Sequence, residues 1–174
     1  MARRGLAEAP SAYQRAITRL ARRDHSESEL RRALLERGHE EEVETALRRL
    51  RSEGYLDDGG FAERYARSRL AGQGLGRLRV RQGLRQRGVE RGTAEAGLRA
   101  ALRDVPEADV LEAVARRYWR QRTRDEPANR LRKLWAFLLR RGFPAPLVNE
   151  RLRALWPRWQ DAIEGLEPVE ETEG

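Results

Sequence analysis

Residues 30–38 of the chain are LRRALLERG, and the same arrangement returns at residues 80–88 as VRQGLRQRG and at residues 134–142 as LWAFLLRRG. In each copy two apolar residues four positions apart precede an arginine and a glycine. Residues four apart share one face of a helix, and glycine is favoured where a helix ends in left-handed geometry. The three copies therefore predict three helices, which end at Gly38, Gly88 and Gly142.

Each copy lies between two further amphipathic segments. After each glycine, apolar residues recur at helical spacing, and similar segments precede the copies around Ile17, Tyr65 and Val114. We expect an all-α protein of about nine short helices, arranged as three tandem three-helix repeats in an elongated, curved array. The predicted units are repeat 1 (11–54), repeat 2 (55–105), repeat 3 (106–160) and an acidic, disordered tail (161–174).

Several predicted helices begin at residues that cap helices well. Ser26 and Glu29 have the spacing of a capping box, and Pro106 and Pro144 stand where a first turn starts. Asp57 and Asp58 precede the helix that contains Phe61. We expect both carboxylates to cap that helix, whose N-terminal N–H groups and dipole favour negative charge.

The composition is that of a folded protein without cysteine chemistry. The chain has 174 residues, of which 39% are hydrophobic and 37% charged, and it has no cysteine. That balance predicts a soluble protein with a core, and it excludes disulfides and thiolate metal sites. No window resembles a membrane span, and the first residues lack the apolar core of an export signal, so we expect no membrane partner and a cytoplasmic location.

The basic residues are almost all arginine, and they are unevenly placed. Lys133 is the only lysine among 36 basic residues, and the formal net charge is +8. Residues 161–174 contain six acids and no base, so residues 1–160 carry a net +14. A GC-rich genome accounts for the excess of arginine over lysine but not for the sign of the charge. The basic body points to a polyanion as partner, and the acidic tail is either a solubilising end or a competitor for the basic face.

A denser motif joins the first two repeats. It consists of Gly54, Tyr55, Leu56, Asp57 and Asp58, with Phe61 three residues later. Together with Ser26, Glu29 and Leu30 and the glycines at 38, 88 and 142, this block resembles the RecX family of regulatory proteins, and these residues are interpreted as mainly structural. The chain departs from the family pattern at Gly59, Gly60 and Gly83, which affects local helix stability.

The resemblance implies a function as well as a fold. Members of the family bind in the groove of the RecA filament on single-stranded DNA and suppress the ATPase and strand exchange of the recombinase. The implied roles are regulation of recombination, DNA repair and the SOS response. The implied partners are the RecA filament and single-stranded DNA, with non-specific duplex binding as a further possibility, and we expect a monomer.

Two arginine-rich segments are the candidate contact surface. Between Arg64 and Arg91 nine arginines face one acid, Glu90, and a second cluster runs from Arg116 to Arg141. Forked guanidinium groups suit phosphate, and positions 77, 81 and 85 form a row opposite the apolar face of one helix. The alternative is a solvated face paired with acids from elsewhere. The predicted nucleic-acid or filament contacts are Arg64, Arg67, Arg69, Arg77, Arg81, Arg85, Arg116, Arg117, Arg120, Arg132 and Lys133.

No arrangement of residues indicates an enzyme, a metal site or a cofactor. Lys133 lacks the glycine and hydroxyl neighbours of a phosphate-binding loop, and Asp57 and Asp58 are better explained as caps than as metal ligands. His25 and His39 have no partner cluster, and we expect them in solvent-exposed turns. A stand-alone helix-turn-helix-like DNA-binding protein is the rival hypothesis.

The aromatic residues of repeat 3 have two interpretations. They could stack on unpaired bases or pack in the core. Their helical spacing beside Leu134 and Leu138 favours the core, with Trp159 late enough in the chain to be exposed. The residues concerned are Tyr118, Trp119, Trp135, Phe137, Trp156 and Trp159.

Overall fold

The computed structural model describes residues 10–124 and 126–156, which form nine α-helices, one π-helical turn and no strand. The all-α prediction of three three-helix units in tandem is confirmed. The predicted tail, the last four residues of repeat 3 and Trp159 lie outside the described residues. The helices are α1 (Ala12–Leu20), α2 (Glu27–Leu35), α3 (Val43–Ser52), α4 (Asp58–Arg67) with a π-helical turn at Ser68–Gly72, α5 (Arg77–Gln86), α6 (Arg91–Asp104), α7 (Glu107–Gln121), α8 (Pro127–Arg140) and α9 (Ala145–Leu155).

Each helix triplet encloses its own apolar core. Leu30, Leu34, Leu47 and Leu50 are fully buried in the first. The second core forms around Phe61, Leu70 and Leu84, and the third around Leu111, Leu134 and Leu152. Burying one such leucine contributes roughly 1.5–3 kcal/mol, so every triplet gains stability from its own sequence. This is the arrangement of a repeat protein in which each unit contacts mainly its neighbours.

The three glycines end the middle helix of each repeat as predicted. Gly38, Gly88 and Gly142 have φ values of 76°, 70° and 84°. In each repeat the amide that follows the glycine donates to the carbonyl of the second patterned leucine, for example His39 to Leu34 at 3.3 Å. This is the Schellman arrangement, in which a left-handed glycine lets the chain leave a helix with its last carbonyls satisfied. The turn geometry explains why glycine follows the arginine in all three copies.

The predicted capping box at the start of α2 is present. Ser26 Oγ accepts from the Glu29 amide at 3.1 Å, and Glu29 Oε2 accepts from the Ser26 amide at 3.2 Å. Asp57 caps α4 by accepting from the Gly60 amide at 3.0 Å. Asp58 behaves differently, because its carboxylate points to another repeat.

Core packing is confirmed for the main aromatic residues. Tyr118 and Trp135 are buried in the third core, and Trp135 Nε1 donates to Asn149 Oδ1 at 2.9 Å. The rings of Trp119 and Trp156 lie 4.8 Å apart at the edge of that core. Their surfaces are largely occupied by protein contacts, which leaves little of them for base stacking.

The prediction that His25 lies in an exposed turn is wrong. His25 is only 7% exposed, and its Nδ1 lies 2.9 Å from the carbonyl oxygen of Arg23. Burial lowers the pKa of this imidazole. The residues on either side of it, Asp24 and Ser26, both contact repeat 2. Sequence position beside a turn did not reveal that the turn is covered by the next repeat.

Candidate nucleic-acid interface

The first joint, between repeats 1 and 2, brings the start of α2 to the end of α5. Ser26 Oγ donates to the carbonyl of Arg87 at 2.5 Å, and the Glu29 carboxylate lies 3.8 Å from the Arg87 guanidinium. A Cβ on Gly88 would overlap the side chain of Ser28. Gly88 is therefore needed twice, for its backbone conformation and for the close approach of the neighbouring helix.

The second joint, between repeats 2 and 3, repeats this contact with backbone groups. The amides of Gly76 and Leu78 at the start of α5 donate to the carbonyls of Arg141 and Gly142 at 2.8 and 3.0 Å. The Arg141 guanidinium donates to the Gly74 carbonyl at 3.0 Å. Burial and the nearby charge of Arg117 lower the pKa of Arg141. Both joints thus place the N-terminus of one middle helix on the Arg-Gly end of the next.

A carboxylate from the following repeat completes each joint. Asp58 Oδ1 accepts from the Glu27 amide at 2.9 Å, and Glu107 Oε1 accepts from the Arg77 amide at 2.6 Å. Asp58 and Glu107 each begin the first helix of their own repeat, and each caps the middle helix of the preceding repeat. The prediction that Asp58 caps α4 is therefore wrong, and only Asp57 does so. Burial raises the pKa of both carboxyl groups.

The second joint creates the α5 cleft, a cavity of about 570 Å³ between α5 and the end of α8. Four arginines and no carboxylate line it. Within residues 10–124 and 126–156, Arg85 and Arg140 form no ion pair, whereas Arg81 is held by both carboxylate oxygens of Glu95. The lining residues are Leu78, Arg79, Arg81, Gln82, Arg85, Leu139, Arg140 and Gly142. Arg79 bonds only the neutral side chain of Gln82, so three guanidinium groups at this open cleft lack an acidic partner in those ranges and are suited to an anionic ligand.

Other predicted contacts of repeat 2 are paired with acids that are distant in sequence. Arg77 Nε lies 3.5 Å from Glu107, and Arg64 Nε lies 2.7 Å from Asp24. Arg67 pairs with Asp104 and Glu63. The segment that lacks acids in sequence is therefore compensated in part by acids that folding brings to it. The pairs of Arg64 and Arg67 are more than a third exposed and contribute at most about 1 kcal/mol each, so a phosphate can replace their carboxylates at little cost. Glu107, by contrast, is buried in the second joint.

Arg69 stays unpaired with acid and stacks on an aromatic ring. Its guanidinium carbon lies 4.8 Å from the centre of the Tyr65 ring, and Arg87 lies 4.6 Å from the same ring. Arg64 and Arg69 line a separate cavity of about 580 Å³ beside the first joint. The structure does not bring Arg64, Arg67 or Arg69 into the α5 cleft.

The predicted contacts of repeat 3 are dispersed. Arg116 pairs with Glu112 at 3.5 Å, and Arg117 lies near Arg141. Arg120 is exposed on α7, and Arg132 and Lys133 are exposed on α8, where both contact other residues. None of these side chains lines the α5 cleft.

Sequence reasoning missed Arg79 and Arg140 as members of the cleft. Arg140 is 55 positions from Arg85, and only the second joint brings them to one cavity. The sequence signal that could have identified Arg140 was the repeated Arg-Gly helix end. The residue before this end lies beside the helix that docks on it.

The described ranges contain neither a candidate metal site nor a candidate membrane-spanning helix. No group of three or more histidine, cysteine or acidic residues there is arranged to hold a metal ion. None of the helices in those ranges has the length and apolar character needed to cross a bilayer.

Three family models match the chain in tandem. They describe the first three-helix domain of RecX at residues 12–50, the second at residues 57–98 and the third at residues 106–152. The matches correspond to the three helix triplets of the structure.

Curated relatives and solved structures agree with this assignment. The chain is 36% identical over 147 residues to regulatory protein RecX of Pseudomonas entomophila (strain L48), which covers 83% of this chain and 92% of the relative. It is 40% identical over 137 residues to regulatory protein RecX of Halorhodospira halophila (strain DSM 244 / SL1), with coverage of 77% and 81%.

The crystal structure of RecX from Lactobacillus salivarius matches with a TM-score of 0.72 at 19% identity, over 83% of this chain and 94% of that one. A crystal structure of regulatory protein RecX matches with a TM-score of 0.71 at 26% identity, over 80% and 70%. The first likeness establishes the fold, and the family models and curated relatives establish the kinship. The chain therefore belongs to the RecX family of regulatory proteins.

Proposed function

We propose that this protein modulates the RecA recombinase, mainly as an inhibitor. It binds in the groove of the RecA filament on single-stranded DNA and suppresses ATP hydrolysis and strand exchange, and so regulates recombination and DNA repair. Membership of the RecX family is the observation that carries this proposal. The protein acts in the cytoplasm, as a monomer and without catalysis or a cofactor.

The joints support a function that requires a fixed shape. Each joint combines a hydrogen bond to an Arg-Gly helix end with a carboxylate cap from the next repeat. Three repeats held in this way present their side chains at set spacings. A modulator that contacts successive subunits of a filament needs that property, since correct spacing lowers the entropy lost on binding.

The α5 cleft supports contact with the phosphate backbone. Arg85 and Arg140 provide guanidinium groups that have no carboxylate partner in the described part of the chain, and Arg79 lies beside them. The exposed, paired arginines around the cleft extend the positive surface. We assign the DNA contact to this cleft first, and to further contacts outside it at Arg64, Arg67, Arg69, Arg116, Arg117, Arg120, Arg132 and Lys133.

The test is RecA ATPase activity on single-stranded DNA with substoichiometric amounts of this protein. We expect inhibition well below one copy per RecA, and weaker inhibition by the variant R85E/R140E. The matched control is R32E/R103E, which reverses two exposed arginines outside the cavities described above. An unaffected ATPase together with sequence-specific duplex binding would instead support the stand-alone helix-turn-helix hypothesis.

A further inference from the structure

Repeat 1 has the same Arg-Gly helix end as its neighbours, but no described residue docks on it. A Cβ on Gly88 would meet Ser28 and one on Gly142 would meet Arg79, whereas a Cβ on Gly38 would meet nothing within 4 Å. No backbone N–H of the described residues reaches the carbonyl of Arg37 or Gly38. The corresponding carbonyls of repeats 2 and 3 are the acceptors of the two joints. Within the described ranges, the end of α2 is therefore a joint surface without its other half.

An arginine-rich groove lies beside this open end. It has a volume of about 500 Å³, runs between α1 and α2, and has no carboxylate among its lining residues. Arg19, Arg22 and Arg37 form no ion pair with any residue of the described ranges. The polar and charged side chains that line this repeat-1 groove are Arg15, Thr18, Arg19, Arg22, Arg23, His25 and Arg37.

The repeat-1 groove has a counterpart in repeat 2 that is closed on one side by a neighbouring repeat. A shift of 50 residues, the spacing of the glycines, places Thr18 on Ser68, Arg19 on Arg69 and Arg37 on Arg87. Those three residues of repeat 2 line the cavity beside the first joint.

Repeat 1 forms one wall of that counterpart. Arg23 and Asp24 form part of its wall, and the Asp24 carboxylate pairs with Arg64. Two residues later Ser26 donates to the Arg87 carbonyl, and α2 begins. The segment that docks beside this kind of cavity is thus a carboxylate, paired in repeat 2 with Arg64, followed by the N-terminus of a helix.

A second copy of this chain does not supply the missing half. The helix that would dock is α8, the middle helix of repeat 3. Its N-terminus is already closed, because Pro127 has no N–H and Glu126 accepts from the amides of Ala128 and Asn129 at 3.0 and 2.9 Å. Counted from the start of the helix, the position of Ala128 in α8 is that of Leu78 in α5, whose amide donates to the neighbouring repeat in the second joint.

Nucleic acid fits only half of the surface. Phosphates suit the guanidinium groups, but the open end of α2 presents carbonyl oxygens and the negative end of a helix dipole. The surface as a whole requires an acceptor for the arginines and hydrogen-bond donors for the carbonyls. A protein segment with an acidic residue before a helix provides both.

We propose that the Arg37–Gly38 end and the repeat-1 groove together form a docking site for a partner protein that presents a carboxylate followed by a helix N-terminus. The site takes the partner as repeat 2 takes Asp24 and α2. This inference rests on the proposed function in one respect, the identity of the partner, which we expect to be a protein subunit of the recombinase filament.

The test reverses the charge of two groove residues on opposite walls in the full-length chain. The variant is R19E/R37E, its control is R32E/R103E, and circular dichroism verifies that both are folded. We expect R19E/R37E to need about tenfold more protein to inhibit RecA, while its affinity for single-stranded DNA alone stays equal to that of the control. Equal potency of the two variants would overturn the proposal.

Two further outcomes would assign the site to another ligand and also overturn it. A parallel loss of affinity for single-stranded DNA would make the groove a nucleic-acid site. A dimer seen in sedimentation and lost in R19E/R37E would make it a contact between copies of the chain.

A second probe separates this inference from the proposed function. If the unaltered protein does not inhibit RecA at all, the proposed function fails, and the groove is tested with a fluorescent synthetic peptide of residues 22–36. This peptide carries Asp24 and the α2 sequence. Saturable binding that R19E/R37E loses and R32E/R103E keeps supports the docking site. No binding to the unaltered protein overturns it.

Discussion

Asp58 accepts a hydrogen bond at 2.9 Å from the backbone amide of Glu27, a residue of the preceding repeat. In addition to the local capping box of Ser26, α2 is therefore capped by a side chain 31 positions away. Glu107 does the same for Arg77 in α5. Helix capping, usually a local interaction, here links one repeat to the next.

Replacement of Asp58 should show this link in the stability of the whole chain. We expect Asp58→Ala to lower the free energy of unfolding by about 1–2 kcal/mol, because the Glu27 amide loses its acceptor. Asp58→Asn should restore most of the loss, since the amide oxygen still accepts. Urea unfolding followed by circular dichroism measures both. Equal destabilisation by the two variants would show that the hydrogen bond is not what Asp58 contributes.

Two glycine substitutions separate backbone strain from contact between repeats. Gly38→Ala and Gly142→Ala both place a Cβ at positive φ, which costs roughly 1–2 kcal/mol. Only at position 142 does the Cβ also collide with the backbone nitrogen of Arg79. We expect G142A to lower the thermal unfolding midpoint more than G38A. Similar midpoints for the two variants would mean that the second joint accommodates the added methyl group without a loss of stability.

Glu107 should make stability depend on pH in a defined direction. Its pKa is raised by burial, so the folded protein binds this proton more readily than the unfolded chain does. The stabilisation from protonation is fully present below the ordinary carboxyl pKa of about 4.3 and is lost as pH rises through the raised value. At pH 7 the native protein bears the cost of a buried charge that glutamine does not have.

We therefore expect Glu107→Gln to be at least as stable as the native protein at pH 7, because its side-chain oxygen still accepts from Arg77. Its advantage should shrink as the pH is lowered to about 4. Glu107→Ala, which has no acceptor, should be the least stable variant at either pH. Thermal melts at both pH values measure this. An advantage of glutamine that grows in acid would contradict the sign of the pKa shift.

The salt dependence of DNA binding tests the α5 cleft. If about six phosphates are neutralised, the logarithm of the association constant for single strands should fall with the logarithm of salt concentration at a slope near −4. Reversing Arg85 and Arg140 should make the slope shallower by about 1 to 2, whereas R32E/R103E should leave it nearly unchanged. Fluorescence anisotropy across a salt series provides the slopes. A flat dependence in the unaltered protein would exclude phosphate contact as the main interaction.

The helices and their ends follow from local chemistry, and so the sequence predicts them well. The Leu-x3-Leu-x2-Arg-Gly pattern contains the buried face, the helix end and the left-handed glycine within nine residues. The capping box at Ser26 is equally local. Interactions of this kind need no knowledge of how the repeats meet.

The candidate site is less predictable, because it depends on contacts between repeats. Counting charges along residues 64–91 indicates an uncompensated surface, whereas folding brings Asp24, Glu95, Asp104 and Glu107 to the arginines of that segment. The burial of His25 and the outward reach of Asp58 were missed for the same reason. Each arises at a joint, and no spacing within one repeat indicates what the next repeat places there.

Glu126 and Pro127 have a consequence for how many units the protein can contain. A structure built by adding the same module at the same angle has no internal reason to stop, and an unblocked terminus invites open-ended polymerisation into fibres. By using up or removing the amides at the start of α8, these two residues leave it without the free donors that α5 contributes to the second joint. Within the described ranges, the array thus has a closed helix start at one extremity and, at Gly38, an unused connector at the other.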